Sequence, residues 1–254
     1  MKIILCLHNV SHKYHSKLGE TSALQDINFC LNDGEFLSIV GPSGSGKTTI
    51  LSLISGLLKA SQGHILIDGN EVTTTNRDTG YMFQRDQLFE WRTIRQNITL
   101  GLEIQKKMTQ ENLKMIDGLI EKYGLKEFAD HYPRALSGGM RQRVALIRTL
   151  ATSPKLLLLD EPFSALDFQT RLNVCDDVYS IIKNEKKSAI LVTHDISEAI
   201  SMSDRIIMLS NRPATIAHEY VIDMADCATP LLRRECKKFG YWFDKIWKDL
   251  EKLS

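Results

Sequence analysis

The last part of the chain contains three short runs in which every position is apolar, without the alternation of a half-exposed strand. They are residues 156–159 (LLLL), 189–192 (AILV) and 206–209 (IIML). Strands with both faces apolar are typical of a parallel sheet covered by helices. Helix-like stretches at 170–186 and 196–202 separate the runs, so this part of the chain predicts an α/β core.

The first third of the chain predicts short strands and turns around one helix. An apolar run at 3–7 and the stretches 23–31 and 35–40 have the composition of strands. The turn Asn32-Asp33-Gly34 between the last two predicts a hairpin. Residues 48–58 (TTILSLISGLL) have helical length and spacing, and residues 61–72 return to short strand and turn.

The middle third is predicted to be helical. Its clearest segment repeats apolar residues at steps of three and four: Leu113, Ile116, Ile120 and Tyr123. Thr109 is a suitable N-cap for this helix and Gly124 a suitable C-terminal stop. A further helix is predicted at 140–151, so residues 85–150 would form a helical insertion in the α/β core.

The tail has its own apolar periodicity. Apolar residues recur at steps of four and three: Phe239, Phe243, Ile246, Leu250 and Leu253. Residues 238–253 are therefore predicted to form an amphipathic helix. Its apolar face could pack on its own domain, or dock on a partner or a membrane surface.

Bulk composition narrows the class of protein. Apolar residues make up 43% of the 254 positions, enough for a sizeable core. Lys and Arg number 32 and Asp and Glu 31, so the chain lacks the basic excess of a dedicated nucleic-acid binder. No run approaches the roughly 18 apolar residues of a membrane span, so other chains would have to cross the bilayer in any membrane process.

The cysteines give an expectation about redox state. They are Cys6, Cys30, Cys175, Cys227 and Cys236. They are scattered, and none forms a Cys-x-x-Cys pair. We therefore expect reduced thiols, as in a cytosolic protein.

The sequence GPSGSGKTT at residues 41–49 follows a predicted strand and opens a predicted helix. Glycines let backbone N–H groups face phosphate oxygens, Lys47 reaches the β- and γ-phosphates, and the Thr48 hydroxyl coordinates Mg²⁺. Every residue of this loop is a candidate nucleotide ligand: Gly41, Pro42, Ser43, Gly44, Ser45, Gly46, Lys47, Thr48 and Thr49.

Two adjacent carboxylates end the apolar run 156–159. Asp160 would lie beside the phosphate loop, where it can hold Mg²⁺. Glu161 is a candidate to orient or deprotonate the attacking water.

A second glycine turn precedes the helix predicted at 140–151. It consists of Ser137, Gly138 and Gly139. A glycine-rich turn at a helix N-terminus is an anion cradle, because its free N–H groups point outward. This second cradle has no lysine, and the residues alone do not explain why one chain carries two.

The order of these motifs resembles that of the ATP-binding subunits of ABC transporters. The phosphate loop, Gln84, LSGGM at 136–140, LLLLDEP at 156–162, SALD at 164–167 and THD at 193–195 follow one another within residues 3–215. The resemblance implies a P-loop NTPase cassette of the α/β class, with a mainly parallel core sheet, an antiparallel β subdomain and a helical subdomain at about 85–150. It implies one ATPase domain at 1–230, followed by a C-terminal helical extension at 231–254.

The resemblance also implies roles in the hydrolysis of ATP with Mg²⁺. Tyr14 would stack on adenine, and Gln84 would sense the γ-phosphate and Mg²⁺. Glu161 would be the catalytic base, and His194 would hold the γ-phosphate and the attacking water. The implied catalytic residues are Lys47, Gln84, Glu161 and His194, and the implied metal ligands are Thr48, Gln84 and Asp160.

In that family two cassettes meet head to tail, which would explain the second cradle. Ser137, Gly138 and Gly139 would bind the γ-phosphate of an ATP held mainly by the other subunit, and Asp167 would lie at the subunit contact. One chain can supply both halves of two sites in a twofold-symmetric homodimer.

The resemblance extends to importers of the nitrate, sulfonate and taurine type, a group that includes uptake systems for vitamin precursors. It implies a peripheral subunit at the cytoplasmic face of the membrane, working with integral membrane permease subunits and an extracytoplasmic solute-binding protein. Residues 84–95, with Phe89 and Trp91 exposed, would contact the permease. Phe89-Glu90-Trp91 departs from the Leu-Pro-Trp usual in this group, which weakens any inference about the solute.

Non-transport ABC ATPases are the alternative. Chromosome-maintenance members split the cassette with a long coiled coil, and no long heptad run lies between Thr48 and Asp160. Translation-associated members carry two cassettes, whereas this chain has one. A P-loop kinase would not need the LSGGM motif.

Overall fold

The computed structural model describes residues 2–16, 19–224 and 226–253. Within these residues the chain forms ten strands and eight α-helices in a mixed α/β order. In sequence they are β1 Ile3–Ser16, β2 Gly19–Asn32, β3 Phe36–Val40, α1 Lys47–Ile54, β4 Gln62–Ile67, β5 Asn70–Glu71, β6 Thr79–Met82, α2 Ile94–Ile104, α3 Gln110–Lys122, α4 Gly138–Leu150, β7 Leu156–Asp160, α5 Phe168–Asn184, β8 Ser188–Val192, α6 Ile196–Met202, β9 Arg205–Leu209, β10 Ile216–Val221, α7 Pro230–Glu235 and α8 Lys237–Glu251.

The central sheet has six strands in the order β10-β9-β3-β8-β7-β6. Only the edge strand β10 is antiparallel to its neighbour, and the other pairs are parallel. Alternate residues of β7 enter two apolar clusters, Leu156 and Leu158 in one and Leu157 and Leu159 in the other. The sheet is therefore covered on both faces, which confirms the parallel core predicted from the unbroken apolar runs.

The sheet order brings the predicted motifs to one edge. β3 lies between β8 and β9, and β8 lies next to β7. The segments that leave the carboxyl ends of β3, β7 and β8 carry the phosphate loop, the acidic pair and His194 respectively. In open α/β sheets, ligands bind in the crevice outside these carboxyl ends.

A second, antiparallel sheet has the strand order β2-β1-β4-β5. The hairpin predicted at Asn32-Asp33-Gly34 is wrong, because β2 belongs to this sheet and β3 to the six-stranded sheet. The strand β1 is the partner of β2 and continues to Ser16 instead of ending at Leu7. Partly exposed β2 fits a sheet with one solvated face, whereas fully buried β3 fits the centre of the parallel sheet.

The expectation that all five cysteines are reduced is also wrong. Cys6 on β1 and Cys30 on β2 face each other in the antiparallel register and form a disulfide, with their Cα atoms 4.1 Å apart. The two residues are 24 positions apart in sequence. Only the pairing of the strands brings them together, so cysteine spacing could not reveal the bond. Cys175, Cys227 and Cys236 are free thiols.

The helices between residues 85 and 150 enclose an apolar cluster of their own. It includes Ile98 of α2, Ile116 and Ile120 of α3, and Val144 of α4. The hydroxyl of Thr109 accepts a hydrogen bond from Asn112 N at 3.2 Å, and α3 ends before Gly124, as predicted.

The helix predicted at 48–58 is shorter than expected. It ends at Ile54, because Gly56 adopts a left-handed backbone with φ of +74°.

The C-terminal helix α8 packs on its own chain. Its buried Ile246 joins an apolar cluster with Ile200 of α6 and Met208 of β9, and Phe243 and Leu250 pack against the same cluster. This was the first of the two possibilities left open by the amphipathic pattern. Among the described residues, no helix is both long and apolar enough to span a bilayer.

Candidate functional site

The phosphate loop joins β3 to α1 and is shaped by glycines. Gly46 is the N-cap of α1 with φ of +95°, a conformation that side chains disfavour. A Cβ there would also lie only 2.8 Å from Leu24 Cδ2. The Ser45 hydroxyl is buried and has no hydrogen-bond partner within the described structure. A buried hydroxyl without a partner, in a glycine-rich loop at a helix N-terminus, fits an anionic ligand such as phosphate.

Lys47 closes the loop on itself. Its Nζ donates hydrogen bonds to the carbonyl oxygens of Gly41 and Pro42, each at 2.9 Å. Burial lowers the pKa of Lys47, and the charges of Glu161 and Asp160 oppose that shift. A buried ammonium held by neutral carbonyls can turn toward a phosphate oxygen, which offers a charge-assisted bond.

Asp160 lies beside Thr48, in the first turn of α1. Thr48 Oγ1 donates to Asp160 Oδ1, and the Tyr81 hydroxyl to Asp160 Oδ2, each at 3.0 Å. Burial raises the pKa of Asp160 and, with the adjacent carboxylate, that of Tyr81. Sequence reasoning missed Tyr81, because a tyrosine in a strand carries no motif and only the β6–β7 pairing places it here.

Glu161 and His194 meet above the carboxyl ends of β7 and β8. His194 Nδ1 lies 3.1 Å from Glu161 Oε2. Glu161 N donates to Val192 O at 2.9 Å, and its φ is +44°. A non-glycine residue in this left-handed region is strained, and such strain is concentrated at functional sites.

Gln84 lies on the other side of Glu161. Its Nε2 donates to Ser164 Oγ at 3.2 Å, and Ser164 Oγ donates to Glu161 O at 3.0 Å. The glutamine is therefore linked to the acidic pair through a serine of the SALD segment. Its predicted role as a ligand of Mg²⁺ stays a prediction.

An open cavity of about 540 Å³ collects these groups. Its lining comprises Ser43, Gly44, Gly46, Lys47, Thr48, Thr49, Glu161, His194 and Arg212. Arg212 was not predicted. It lies between β9 and β10, and its Nη2 lies 3.8 Å from the position that a Cβ of Gly44 would take. No sequence signal marks this arginine, because the sheet order alone brings it over the phosphate loop.

Tyr14 stands next to the same loop. It is part of β1, and its hydroxyl forms a 2.9 Å hydrogen bond with Thr49 Oγ1. The ring is partly exposed, with an edge contact to His12 at a centroid distance of 4.7 Å. The predicted adenine-stacking role of Tyr14 stays a prediction.

The second cradle opens α4 and does not line this cavity. Ser137 is the N-cap, and its side chain accepts from Met140 N at 3.3 Å. Gly138 is exposed and Gly139 buried. None of the three residues belongs to the lining of the cavity around Lys47. Within one chain, the two cradles are therefore separate.

The segment expected to contact a permease is only partly as predicted. Trp91 is 73% exposed and stacks on Phe89 at a centroid distance of 4.8 Å. Phe89 itself is partly buried, which corrects the expectation that both rings are exposed. Asp86 anchors the segment to α4 through hydrogen bonds from Arg141, the shorter at 2.7 Å.

Comparison with known proteins agrees with this geometry. The family model described as ABC transporter matches residues 24–164. An uncharacterized ABC transporter ATP-binding protein, YtlC of Bacillus subtilis, is 47% identical over 251 residues, which cover 98% of this chain and 96% of that protein. The nitrate import ATP-binding protein NrtD of Synechocystis is 41% identical over 239 residues, covering 92% of this chain and 90% of that protein.

A solved structure shares the fold. The ATP-binding cassette MJ0796, in a dimeric post-hydrolysis state bound to ADP and Pi, is similar with a TM-score of 0.72 and 32% sequence identity. The match covers 86% of this chain and 99% of that one. The phosphate loop, the acidic pair and the second cradle thus belong to an ATP-binding cassette, and this chain is a member of the ABC transporter family and an ATP hydrolase of that family.

Proposed function

We propose that this chain is the ATP-hydrolysing subunit of an import system, in which two copies close head to tail on two ATP molecules. The separation of the two cradles within one chain carries this proposal. The cavity around Lys47 is not lined by Ser137, Gly138 or Gly139, although each site places glycines at the N-terminus of a helix, where an anion is favoured. A second copy of the chain would bring its cradle to the γ-phosphate in the open cavity.

Within each cassette the residues divide into phosphate binding and water activation. Lys47 and the loop hold the β- and γ-phosphates, and Ser45 gains the partner that it lacks. Glu161 takes a proton from the attacking water as a general base. His194, within 3.1 Å of Glu161, orients that water and the γ-phosphate. Gln84 reports the state of this site through Ser164.

Thr48 and Asp160 are the residues that fit Mg²⁺. Their oxygens are adjacent at 3.0 Å, and Mg²⁺ in such sites takes one or two carboxylates together with substrate phosphates. When bound, the ion neutralises charge on the phosphates. The hydrogen bond from Tyr81 keeps Asp160 Oδ1 turned to Thr48.

The segment from Gln84 to Arg95 forms the contact with integral membrane permease subunits. It combines exposed Trp91 with charged side chains, a composition common at protein interfaces. Gln84 at its start is hydrogen-bonded to Ser164 beside Glu161, so the segment is continuous with the hydrolytic site. Opening and closing of the dimer would move this contact.

The solute is proposed to be small and anionic, such as nitrate, a sulfonate or taurine, or else a vitamin precursor. The similarity to a nitrate import subunit supports this class. An extracytoplasmic solute-binding protein in the same system would select the solute, and this cassette would supply the free energy. Purifying that binding protein and measuring which solute it binds tests the assignment.

The cassette is proposed to lie at the cytoplasmic face of the membrane, where ATP is available. The Cys6–Cys30 disulfide opposes this placement, because disulfides are uncommon in a reducing cytosol. Titrating free thiols in protein released from cells under denaturing, alkylating conditions shows whether Cys6 and Cys30 are reduced or disulfide-bonded in the cell. Five reactive thiols would agree with the cytoplasmic face, and three would indicate that the bond persists in the cell.

Sedimentation of a hydrolysis-deficient variant tests the dimer. Glu161→Gln should sediment as a dimer with ATP and as a monomer with ADP, since only ATP offers a γ-phosphate to the opposite cradle. Adding Gly138→Asp should abolish the dimer through like charge, while ATP binding by the monomer survives.

Gly138→Ala is the matched control for this experiment. Its Cβ also approaches Leu166 Cδ2 to 3.0 Å but carries no charge, so the dimer should persist. Dimerisation of the Asp variant with ATP, or equal dimerisation of Glu161→Gln with ADP, would overturn the head-to-tail proposal.

A further inference from the structure

Arg171 connects the segment after Glu161 to the turn that carries His194. It lies in the first turn of α5, and its Nη2 donates to Leu166 O at 2.9 Å. Its Nη1 lies 3.5 Å from Asp195 Oδ2, and its Nε 3.8 Å from Glu198 Oε1. Nε is buried and has no hydrogen-bond partner within the described residues. Charge attraction to α6, together with one hydrogen bond to Leu166, therefore holds this guanidinium.

The turn on the far side of Arg171 is bonded as one unit. Thr193 Oγ1 donates to Glu198 Oε2 at 2.6 Å and accepts from Asp195 N at 3.0 Å. Asp195 Oδ1 caps α6 by accepting from Ser197 N and Glu198 N. His194 sits inside this bonded turn. Any displacement of the turn by Arg171 therefore displaces His194 relative to Glu161.

Leu166, on the near side of Arg171, lies beside the second cradle. Its Cδ2 lies 3.0 Å from the position that a Cβ on Gly138 would occupy. One residue thus presents its side chain to the second cradle and its carbonyl oxygen to Arg171. Gly138, Leu166, Arg171 and the turn of His194 therefore lie next to one another in this order.

We propose that Arg171 is a positioning residue that sets His194 against Glu161 according to the state of the second cradle in the same chain. This inference rests on the proposed head-to-tail dimer, in which that cradle receives the partner's ATP. Occupancy of the second cradle would then shift Leu166, and Arg171 would pass the shift to His194. Each cassette would hydrolyse its own ATP efficiently only after engaging the ATP of its partner, a coupling between two sites.

Arg143 provides a matched control, because it makes the same kinds of contact without reaching the turn of His194. It lies on α4, with Nε 3.6 Å from Asp177 Oδ2 and Nη1 donating to Tyr123 O at 3.4 Å. Its Nε is likewise buried and without a hydrogen-bond partner. A loss of activity caused only by weakened helix packing would appear in Arg143→Ala as well as in Arg171→Ala.

The first experiment compares steady-state hydrolysis by these two variants and the unchanged chain over a range of ATP concentrations. Arg171→Ala should lower kcat about 10-fold or more, since misplacing a catalytic group by about 1 Å can cost up to about 100-fold. Its KM for ATP should stay within about 2-fold, and its Hill coefficient should fall toward 1. Arg143→Ala should keep both kcat and the Hill coefficient. An unchanged Hill coefficient in Arg171→Ala, or an equal loss in Arg143→Ala, would overturn the proposal.

A second variant breaks the same link from the other end. Asp195→Asn retains the oxygen that caps α6 but removes the charge facing Arg171. If the two residues act through each other, the double variant should lose no more kcat than the worse single variant. Independent, multiplicative losses would contradict the link. This comparison remains decisive even if Arg171→Ala folds poorly, because Arg171→Lys can replace it and should retain part of the coupling.

Dimerisation separates this inference from the proposed function. If Glu161→Gln fails to dimerise with ATP, the head-to-tail dimer itself is wrong. If Glu161→Gln dimerises, adding Arg171→Ala should leave dimerisation intact, because Arg171 does not line the cavity around Lys47 and its polar contacts are to Leu166, Asp195 and Glu198 of its own chain. A dimer lost with Arg171→Ala would make the residue part of the interface and refute its positioning role.

Discussion

The carboxylate of Glu161 and the ring of His194 approach to 3.1 Å, although 33 positions separate them in the chain. Glu161 has a left-handed backbone with φ of +44°, and the two residues follow the adjacent strands β7 and β8. It places a general-base candidate and a polar ring at one wall of the cavity that the phosphate loop opens into.

Replacing Glu161 by glutamine should separate hydrolysis from binding. The amide can still bond to His194 but cannot accept a proton from water, so kcat should fall roughly 10²–10⁴-fold. Equilibrium binding of ATP should change little, because Lys47 and Thr48 are untouched. Steady-state phosphate release and equilibrium dialysis measure the two quantities. Glu185→Gln, at the end of α5, is the control and should keep normal turnover. Near-normal turnover by Glu161→Gln would show that Glu161 is not the catalytic base.

Trp91→Ala should affect assembly and spare the isolated cassette. The ring is 73% exposed, so its loss should change the free energy of unfolding by no more than about 0.5 kcal/mol. Copurification with the permease and solute uptake should both weaken, while the ATPase activity of the free cassette stays intact. Trp247→Ala is the control, since that exposed ring lies on α8. Equal copurification of the two variants would contradict the permease contact at residues 84–95.

Arg212→Ala should weaken the binding of nucleoside triphosphates. The guanidinium lines the cavity beside Gly44, and a charge-assisted bond of about 1.5–3 kcal/mol would be reduced here by exposure to solvent. We expect the Kd for ATP to rise about 3- to 10-fold, with partial recovery in Arg212→Lys. Titrations with ATP and AMP check this, and Arg77→Ala serves as an exposed control. An equal loss for ATP and AMP would argue against a contact with the β- or γ-phosphate.

Glu198→Gln should change how stability depends on pH. Burial raises the pKa of Glu198 to about 6, from an ordinary value of 4.5. The bond from Thr193 and the charges of Arg171 and His194 oppose this shift, and Asp195 adds to it. The pKa of Glu198 is higher in the folded protein than in the unfolded chain. Ionisation of this carboxyl therefore lowers the free energy of unfolding as the pH rises from 4.5 through about 6. Between pH 5 and pH 7.5 the free energy of unfolding of the wild type should therefore fall by about 1 kcal/mol relative to that of Glu198→Gln.

Urea unfolding of both proteins at the two pH values measures this difference. Glu185→Gln provides a control of opposite sign, because hydrogen bonds from Lys122 and Tyr123 lower the pKa of Glu185 despite its burial. The contribution of Glu185 to the free energy of unfolding should be lost as the pH falls, whereas that of Glu198 becomes unfavourable as the pH rises. A pH-independent difference between wild type and Glu198→Gln would contradict the raised pKa.

Much of the fold follows from short stretches of sequence. The unbroken apolar run of β7 predicts a strand that is buried on both faces, and Thr109 and Gly124 bound α3 as expected. The phosphate loop is equally local. Its glycines and Lys47 form a closed loop within nine residues, because backbone curvature and hydrogen bonding there depend on immediate neighbours.

Other features depend on which distant segments become neighbours. The Asn32-Asp33-Gly34 turn has the sequence of a hairpin turn. Fully buried β3 nevertheless lies in the six-stranded sheet, whereas β2 lies in the four-stranded one. Cys6 and Cys30 meet only through the register of β1 and β2. No local pattern records either outcome, since both depend on the total apolar area buried when the sheets form.

The site shows the same division between local and tertiary information. The two glycine-rich cradles, the acidic pair at Asp160 and Glu161, and the α/β class could all be predicted from local sequence. Local patterns could not show that Arg212 lines the cavity beside the phosphate loop or that Arg171 connects Leu166 to the turn of His194. The physical reason is range. Helix caps and loop curvature act over a few residues, whereas these ionic and hydrogen-bonded contacts exist only after the strand order has brought separate segments to one edge of the sheet.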